Sequence, residues 1–227
     1  MSKSTAMGSS RLGAPGRLIV FEGPEGAGKS TQVARLAEYL RGTGQNNILV
    51  TREPGGTPIG EHVRRILLDR ANYAMLAETE ALLYAAARAQ HVRQVMRPAM
   101  EVGKLVVCDR YIHSSLAYQS GGRGLDANQL WTVQELATGG LMPDLCLLLD
   151  LPVSEGLARR KQDSVQIDRL EADDLAFHER VRSAYLRMVA AEPEQWVVID
   201  AQAPVDEVSL QVIAAVEHRF DAWRTVR

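Results

Sequence analysis

The segment Gly23-Pro24-Glu25-Gly26-Ala27-Gly28-Lys29-Ser30-Thr31 fits G-x-x-x-x-G-K-[ST], the phosphate-binding P-loop. It constrains the fold because it works only between a strand and a helix. Arg17 to Phe21, just before it, reads as a short apolar strand. After it, Val33, Leu36, Ala37 and Leu40 recur at helical spacing. Gly23, Gly26 and Gly28 let the backbone curl so that successive N–H groups face an anion. The helix N-terminus adds a partial positive charge. Lys29 can then reach the β- and γ-phosphates of a nucleoside triphosphate, and the Ser30 hydroxyl can hold Mg²⁺. At ordinary Gly, Lys and Ser/Thr usage the fixed positions match by chance in about one chain of this length per hundred. The strand and helix around them lower that further.

Strand patterns recur at Leu18–Glu22, Ile48–Arg52, Leu105–Asp109, Leu145–Asp150 and Trp196–Asp200. Helical stretches separate them: Ile59–Asp69, Glu78–Met100, a short piece at Leu116–Ala117, Ala127–Ala137, Ser154–Arg160, Leu175–Ala191 and Val205–Trp223. Alternating strand and helix predicts an α/β domain, a five-stranded parallel sheet covered on both faces. A chain of 227 residues suits one such domain, expected over 17–227. Residues 1–16 are rich in Ser, Gly and Ala without periodicity, and a disordered N-terminal tail is expected there. The stretch Gln162–Ile167 interrupts two helices and is the expected mobile flap, a short LID near 159–167.

Composition narrows the function. Lys and Arg number 26, lie scattered, and leave a net charge of −2, so a nucleic-acid surface is not expected. No apolar stretch has membrane-spanning length, and no signal peptide is visible. Cys108 and Cys146 sit in apolar strand patterns without metal-ligand spacing, which suits a reducing cytoplasm.

In open α/β sheets ligands bind beyond the carboxyl ends of the strands. Polar residues gather there: Glu22 with the P-loop, Arg52-Glu53-Pro54-Gly55-Gly56, Asp109-Arg110-Tyr111, and Asp150. Two anionic phosphates brought together need several cations between them, and the Arg fork binds phosphate bidentately. Arg52 and Arg110 are therefore candidate phosphate ligands. The competing reading pairs each with its neighbouring carboxylate, Glu53 or Asp109. Glu80, Tyr84 and Arg88 share a helix face, so Tyr84 can stack on a base and Arg88 can donate to a base carbonyl. From spacing alone an exposed Tyr84–Arg88 cation–π pair explains them as well. Gly121-Gly122-Arg123-Gly124 reads as a flexible loop. No Asn-Lys-x-Asp base-reading motif of a nucleotide switch is present.

Taken together the motifs resemble the thymidylate kinase family of nucleoside monophosphate kinases. The likeness rests on Phe21-Glu-Gly-Pro-Glu-Gly-Ala-Gly-Lys-Ser-Thr31, Thr51-Arg-Glu-Pro-Gly-Gly-Thr57, Tyr84-Ala-Ala-Ala-Arg88, Asp109-Arg-Tyr111, Ala117-Tyr-Gln119 with Gly121-Gly-Arg-Gly124, and Asp168-Arg-Leu-Glu171. They stand in family order and spread from about residue 17 to 220.

The resemblance implies the P-loop NTPase fold and transfer of the ATP γ-phosphoryl group to dTMP with Mg²⁺. It places ATP on Gly23, Glu25, Gly26, Ala27, Gly28, Lys29, Ser30 and Thr31, with Arg159, Ala201, Gln202 and Val205 at the adenine end. Glu25 would also hold the deoxyribose 3′-hydroxyl. Arg52 and Arg110 would grip the dTMP phosphate, and Tyr84 would stack on the thymine. Arg88 would donate to its O4, with Ser115 and Gln119 near the base and Tyr118 under C2′. Ser30, Glu53 and Asp109 would serve the metal and its water shell. Lys29, Arg110, Arg159 and Arg160 would stabilise charge in transfer. A homodimer through Glu78–Met100 and Ala127–Ala137 is implied too. One departure stands out. Part of the family carries an arginine inside the P-loop where this chain has Gly26, and the bacterial flap is usually richer in arginine than Arg159-Arg160-Lys161-Gln162. A binding-only protein therefore remains an alternative at this stage.

Overall fold

A computed structural model describes residues 16–163, 169–170 and 173–225. Among these residues five strands form one parallel sheet: β1 Arg17–Glu22, β2 Ile48–Arg52, β3 Leu105–Asp109, β4 Leu145–Asp150 and β5 Trp196–Asp200. Their order is β2-β3-β1-β4-β5. The central strands β3, β1 and β4 match the apolar patterns closely because they are buried on both faces, so nearly every position must be apolar, while the edge strands β2 and β5 leave Val50 and Val198 exposed. Leu18 and Val20 join a core with Val106, Cys108, Cys146 and Leu148 on one face. Ile19 and Phe21 join Leu105, Val107, Leu147 and Leu149 on the other. Both cysteines are free and buried, and burial pushes both thiols well up.

The helices in chain order are α1 Lys29–Gly42, α2 Pro58–Leu68, α3 Ala77–His91, α4 Arg97–Glu101, α5 Ile112–Ser115, α6 Ala127–Thr138, α7 Val153–Asp163, α8 Leu175–Ala191 and α9 Val205–Thr225. Val33, Leu36 and Leu40 of α1 pack with Val208, Val212 and Val216 of α9 over one face. Phe177, Val181 and Tyr185 of α8 pack with Val92 and Met96 over the other. At roughly 1.5–3 kcal/mol per buried aliphatic side chain, these two layers supply most of the drive to fold. No helix among the described residues is long and apolar enough to cross a membrane.

The helical stretch expected over Glu78–Met100 is present and runs without a gap, but a π-turn at Val92–Met96 lies between α3 and α4. Pro98 explains it: the residue lacks an N–H, and its ring clashes with the carbonyl four residues back, so the ladder widens before it. A second π-turn, Leu116–Gly122, follows α5, where the apolar spacing predicted only a short piece. The loop reading of Gly121–Gly124 is corrected with it. Gly121 and Gly122 leave no room for a Cβ against Ala184 and Phe177 of α8, so this turn is packed.

At the chain's margins, 1–15 of the expected tail lie outside the described residues. Gly16 does not: it is buried and donates its N–H to Met100 O at 3.0 Å. Of the expected flap, 164–167 also lie outside them, with Asp168 and Glu171. Arg159 to Asp163 belong to α7.

Candidate active site

The carboxyl ends of β1, β2 and β3 are drawn together by backbone bonds beyond the strands. Arg110 N–H donates to Phe21 O and Glu53 N–H to Asp109 O, each at 2.9 Å. The chain crosses from β3 past β1 to β4, so this is the point where ligands of open α/β sheets sit. A cavity of about 350 Å³ opens there. Glu25, Gly26, Gly28, Lys29, Ser30 and Thr31 form one side; Arg52, Glu53, Asp109 and Arg110 form its floor. Tyr84, Ser115, Tyr118 and Gln119 line the opposite wall, and Arg160 of α7 reaches the rim.

The phosphate loop has the conformation that its glycines predict. Gly28 caps α1 at φ 83° with no side-chain cap, which leaves the first N–H groups of the helix to an anion. Lys29 Nζ donates to Gly23 O at 3.0 Å and Pro24 O at 2.7 Å. Burial and the nearby Arg110 cation push the Lys29 ammonium down to about 8, against the pull of Glu25 and Asp109. Gly26 has φ 72°, and a Cβ there would overlap Gly156 O of α7. No side chain fits at 26, so this loop cannot carry the arginine that part of the family places there.

Arg110 is an L-residue held at φ 67°, a strained conformation that aims its guanidinium back over the loop. It donates to Glu25 Oε1 at 2.7 Å, Tyr118 OH at 3.1 Å and Gly23 O at 3.2 Å. Tyr118 OH also donates to Glu25 Oε1 at 2.9 Å. Burial alone would raise the Glu25 carboxyl, but Arg110 and Lys29 outweigh it and hold it down to about 2. Arg110 therefore pairs with Glu25, not with its neighbour Asp109. Arg52 Nη2 likewise donates to both carboxylate oxygens of Glu61 of α2, at 2.9 and 3.0 Å, and not to Glu53.

Ser30 Oγ donates to Asp109 Oδ2 at 2.5 Å. A hydroxyl and a carboxylate side by side are the hard oxygen donors Mg²⁺ takes from a protein when phosphates and water supply the rest. Among the described residues no cluster of three His, Cys, Asp or Glu forms a full protein cage. Glu53 is committed elsewhere, its Oε2 accepting from Arg88 Nε at 2.6 Å and its Oε1 lying 3.0 Å from His91 Nδ1.

Arg88 stands behind the wall rather than on it. Its side chain is 1% exposed. Besides Glu53 it donates to Ser115 Oγ and Tyr111 O, each at 2.9 Å, and to Gln134 Oε1. Its guanidinium lies over the Tyr111 ring, so the exposed Tyr84–Arg88 pair does not form. At the other end Arg159 donates to Ala201 O at 2.9 Å and Gln202 Nε2 to Glu155 Oε1 at 3.0 Å. The residues expected at the adenine end thus meet, between α7 and the turn after β5.

Two carboxylates expected in the crevice are not there. Asp150 forms a bidentate pair with Arg182 of α8 at 2.7 and 2.8 Å. Glu22 is fully buried, accepting from Tyr111 N–H, Ser114 Oγ and Tyr185 OH, and burial raises its pKa.

A family model described as thymidylate kinase matches residues 21–212. The chain belongs to the thymidylate kinase family. It is 54% identical over 198 residues to thymidylate kinase of Thermomicrobium roseum, covering 87% of this chain and 93% of the relative. It is 48% identical over 211 residues to that of Latilactobacillus sakei, covering 91% and 99%. A crystal structure of thymidylate kinase from Ehrlichia chaffeensis superposes with a TM-score of 0.74 at 30% identity, over 89% of this chain and 100% of that one. The chain is thus a nucleoside monophosphate kinase, and its sheet is that of a P-loop NTPase.

Several residues that line this cavity escaped the sequence reading. Arg64 and Leu68 of α2, Ser114, and Leu170 also line it. Arg64 lies on the same helix as Glu61, and an amphipathic helix directly after Arg52 was the available signal. His91 and Gln134 brace the wall from inside, where one polar residue on a helix carries no sequence signal at all.

Proposed function

We propose that the chain transfers the γ-phosphoryl group of ATP to dTMP, with Mg²⁺. One observation carries the reading: a single cavity joins the P-loop, two arginines at strand ends and an aromatic, amide-bearing wall. ATP lies on Lys29, Ser30 and Thr31, its adenine towards Arg159 and Gln202. Arg52 and Arg110 hold the dTMP phosphate in line. Tyr84 stacks on the thymine, Glu25 takes the 3′-hydroxyl and Tyr118 closes off the 2′ position. Gln119 stands beside the base on the same wall. Arg88, behind the wall, serves the base indirectly by bracing Ser115.

Chemistry here is positioning and charge neutralisation. The attacking phosphate oxygen is already ionised, so no strong base is required. Ser30 and Asp109 would hold Mg²⁺, which neutralises charge on the phosphates, and Glu53 serves by holding Arg88. Of the two flap arginines, Arg160 suits the transferring group. It lies four residues beyond Gly156, hence on the α7 face that meets the P-loop, whereas Arg159 is tied to Ala201. Steady-state assays with dTMP, dUMP, dCMP and AMP test the reading. Preferential turnover of dTMP is expected; faster turnover of AMP sinks it. ADP release independent of any monophosphate would favour a nucleotide switch instead.

We also propose a cytoplasmic homodimer. Helices α2, α3 and α6 pack side by side and expose Ile59, Ile66, Leu82, Trp131 and Leu136, an apolar layer that a second copy would cover. The two free cysteines agree with a reducing compartment. Light scattering gives the mass, and a monomer at micromolar concentration would refute the pairing.

A further inference from the structure

Arg52 stands between two hollows. One is the cavity described above; the other, of about 470 Å³, lies behind it against α1 and the edge strand β2. Arg52 lines both, whereas Glu61 of α2 lines only the second. Arg52 Nη2 donates to Glu61 Oε1 at 2.9 Å and to Oε2 at 3.0 Å, and Arg52 Nη1 donates to Pro54 O at 3.0 Å. Glu61 Oε1 also accepts the Gly56 N–H at 3.0 Å. The glycine turn is shaped around this pair. At Gly55, held at φ 134°, a Cβ would overlap both Glu61 Oε1 and Arg52 Nη1. Burial works to raise the Glu61 carboxyl, but the Gly56 N–H, Arg52 and Arg64 bring it below the usual range, so it is an anion at neutral pH.

The form of the pairing decides its role. Fixing the plane of a guanidinium takes two parallel N–H···O bonds from two nitrogens. Here one nitrogen is shared by both carboxylate oxygens, so Glu61 supplies a counter-charge without locking the fork. Pro54 O holds Nη1 independently of it. The side chains of Arg52 and Glu61 are 46% and 41% exposed, and a pair so placed is weak enough to exchange. A phosphate in the cavity asks for the same guanidinium from the side that Glu61 does not line. We infer that Glu61 is a positioning residue that competes with the incoming monophosphate for Arg52. It holds the cation in reserve while the cavity is empty, and it thereby weakens binding of the phosphate group whatever base is attached. The inference rests on the reading of Arg52 as a ligand of the acceptor phosphate.

The test compares KM for dTMP, dUMP, dCMP and AMP in the full chain, in Glu61→Gln, in Arg52→Met and in the double variant. Glutamine keeps an acceptor for the Gly56 N–H and removes only the charge. Both side chains are half-exposed, so no change leaves a buried ion without its partner. In Glu61→Gln, KM for each monophosphate that is turned over should fall, by up to about fivefold and by the same factor for every base. KM for ATP should not move with it. In the Arg52→Met background the same change at 61 should leave KM where it was. A rise in KM would show that Glu61 orients Arg52 for the phosphate, and an equal fall in the absence of Arg52 would show a general effect of charge. Either result overturns the inference, as does a fall confined to one base. Faster turnover of AMP than of dTMP would remove the dTMP reading alone, since the effect of Glu61 would then be read on AMP. If no monophosphate is turned over, both readings fall.

Discussion

The phosphate end and the base end of the cavity both use arginine, in opposite ways. At the phosphate end cations rest on partners that a ligand can displace. Arg52 lies on Glu61 with both side chains more than 40% exposed, and Lys29 lies on two loop carbonyls. At the base end Arg88 is sealed against Glu53, with 1% and 3% exposed, and Arg169 against Glu80, with 8% and 1%. The difference follows from solvation. Arg52 can leave Glu61 for an anion because both stay near water, whereas Arg88 must remain fully paired, because a buried charge that loses its partner is costly. One residue type thus serves as movable counter-charge and as fixed pillar.

The sharpest way to break that contrast is to remove one arginine from each end. Arg88→Met leaves Glu53 buried without its cation, and urea unfolding should show a loss of about 3–5 kcal/mol. Arg52→Met should change stability by less than about 1 kcal/mol while raising KM for dTMP. Comparable stability losses at both ends would abolish the distinction. Next in size, Arg160→Ala should lower kcat by about 10³-fold, as removal of a cation on the transferring phosphoryl does. Arg159→Ala should leave kcat near the parent value and act on KM for ATP; single-turnover kinetics separates the two.

Gly26→Ala probes the wall between P-loop and α7. The added methyl meets Gly156 O at a left-handed backbone position, so thermal unfolding should reveal a loss of about 1–3 kcal/mol together with weaker ATP binding. The smallest effect is that of pH on Lys29. Its ammonium titrates at about 8 in the folded chain, against 10.5 for an ordinary lysine. Between these values the unfolded chain holds a proton that the folded chain has released, so this group adds stability as pH rises. ATP affinity should move the other way, falling above about pH 8 as the cation is lost. Calorimetry at pH 8.5 in two buffers should detect proton uptake on ATP binding, and its absence would mean that Lys29 stays charged.

Much of this was legible along the chain because it is local. The strand, glycine turn and helix at Arg17–Gly42 depend on neighbouring residues, and central strands buried on both faces have to read as apolar runs. The segment Arg52-Glu53-Pro54-Gly55-Gly56-Thr57 and the Asp109-Arg110 pair marked the floor of the cavity because Arg52 and Asp109 each close an apolar strand pattern. The two π-turns were not legible. One answers to Pro98 acting on a carbonyl a turn away, and the other to packing of Gly121 and Gly122 against α8.

Partner choice was decided by the tertiary structure alone. Spacing brought Arg52 beside Glu53 and Arg110 beside Asp109, yet Arg52 pairs with Glu61 and Arg110 with Glu25. Adjacent residues on an extended strand point to opposite faces, so a neighbour in sequence is seldom the partner in space. The sequence by itself determined that this chain binds nucleotide phosphates on a parallel sheet, because glycine geometry and apolar patterning are properties of short segments. Which carboxylates become pillars, which arginines stay free to meet an anion, and why residue 26 must be glycine are set by contacts between distant elements. Those contacts exist only once the two faces of the sheet are covered.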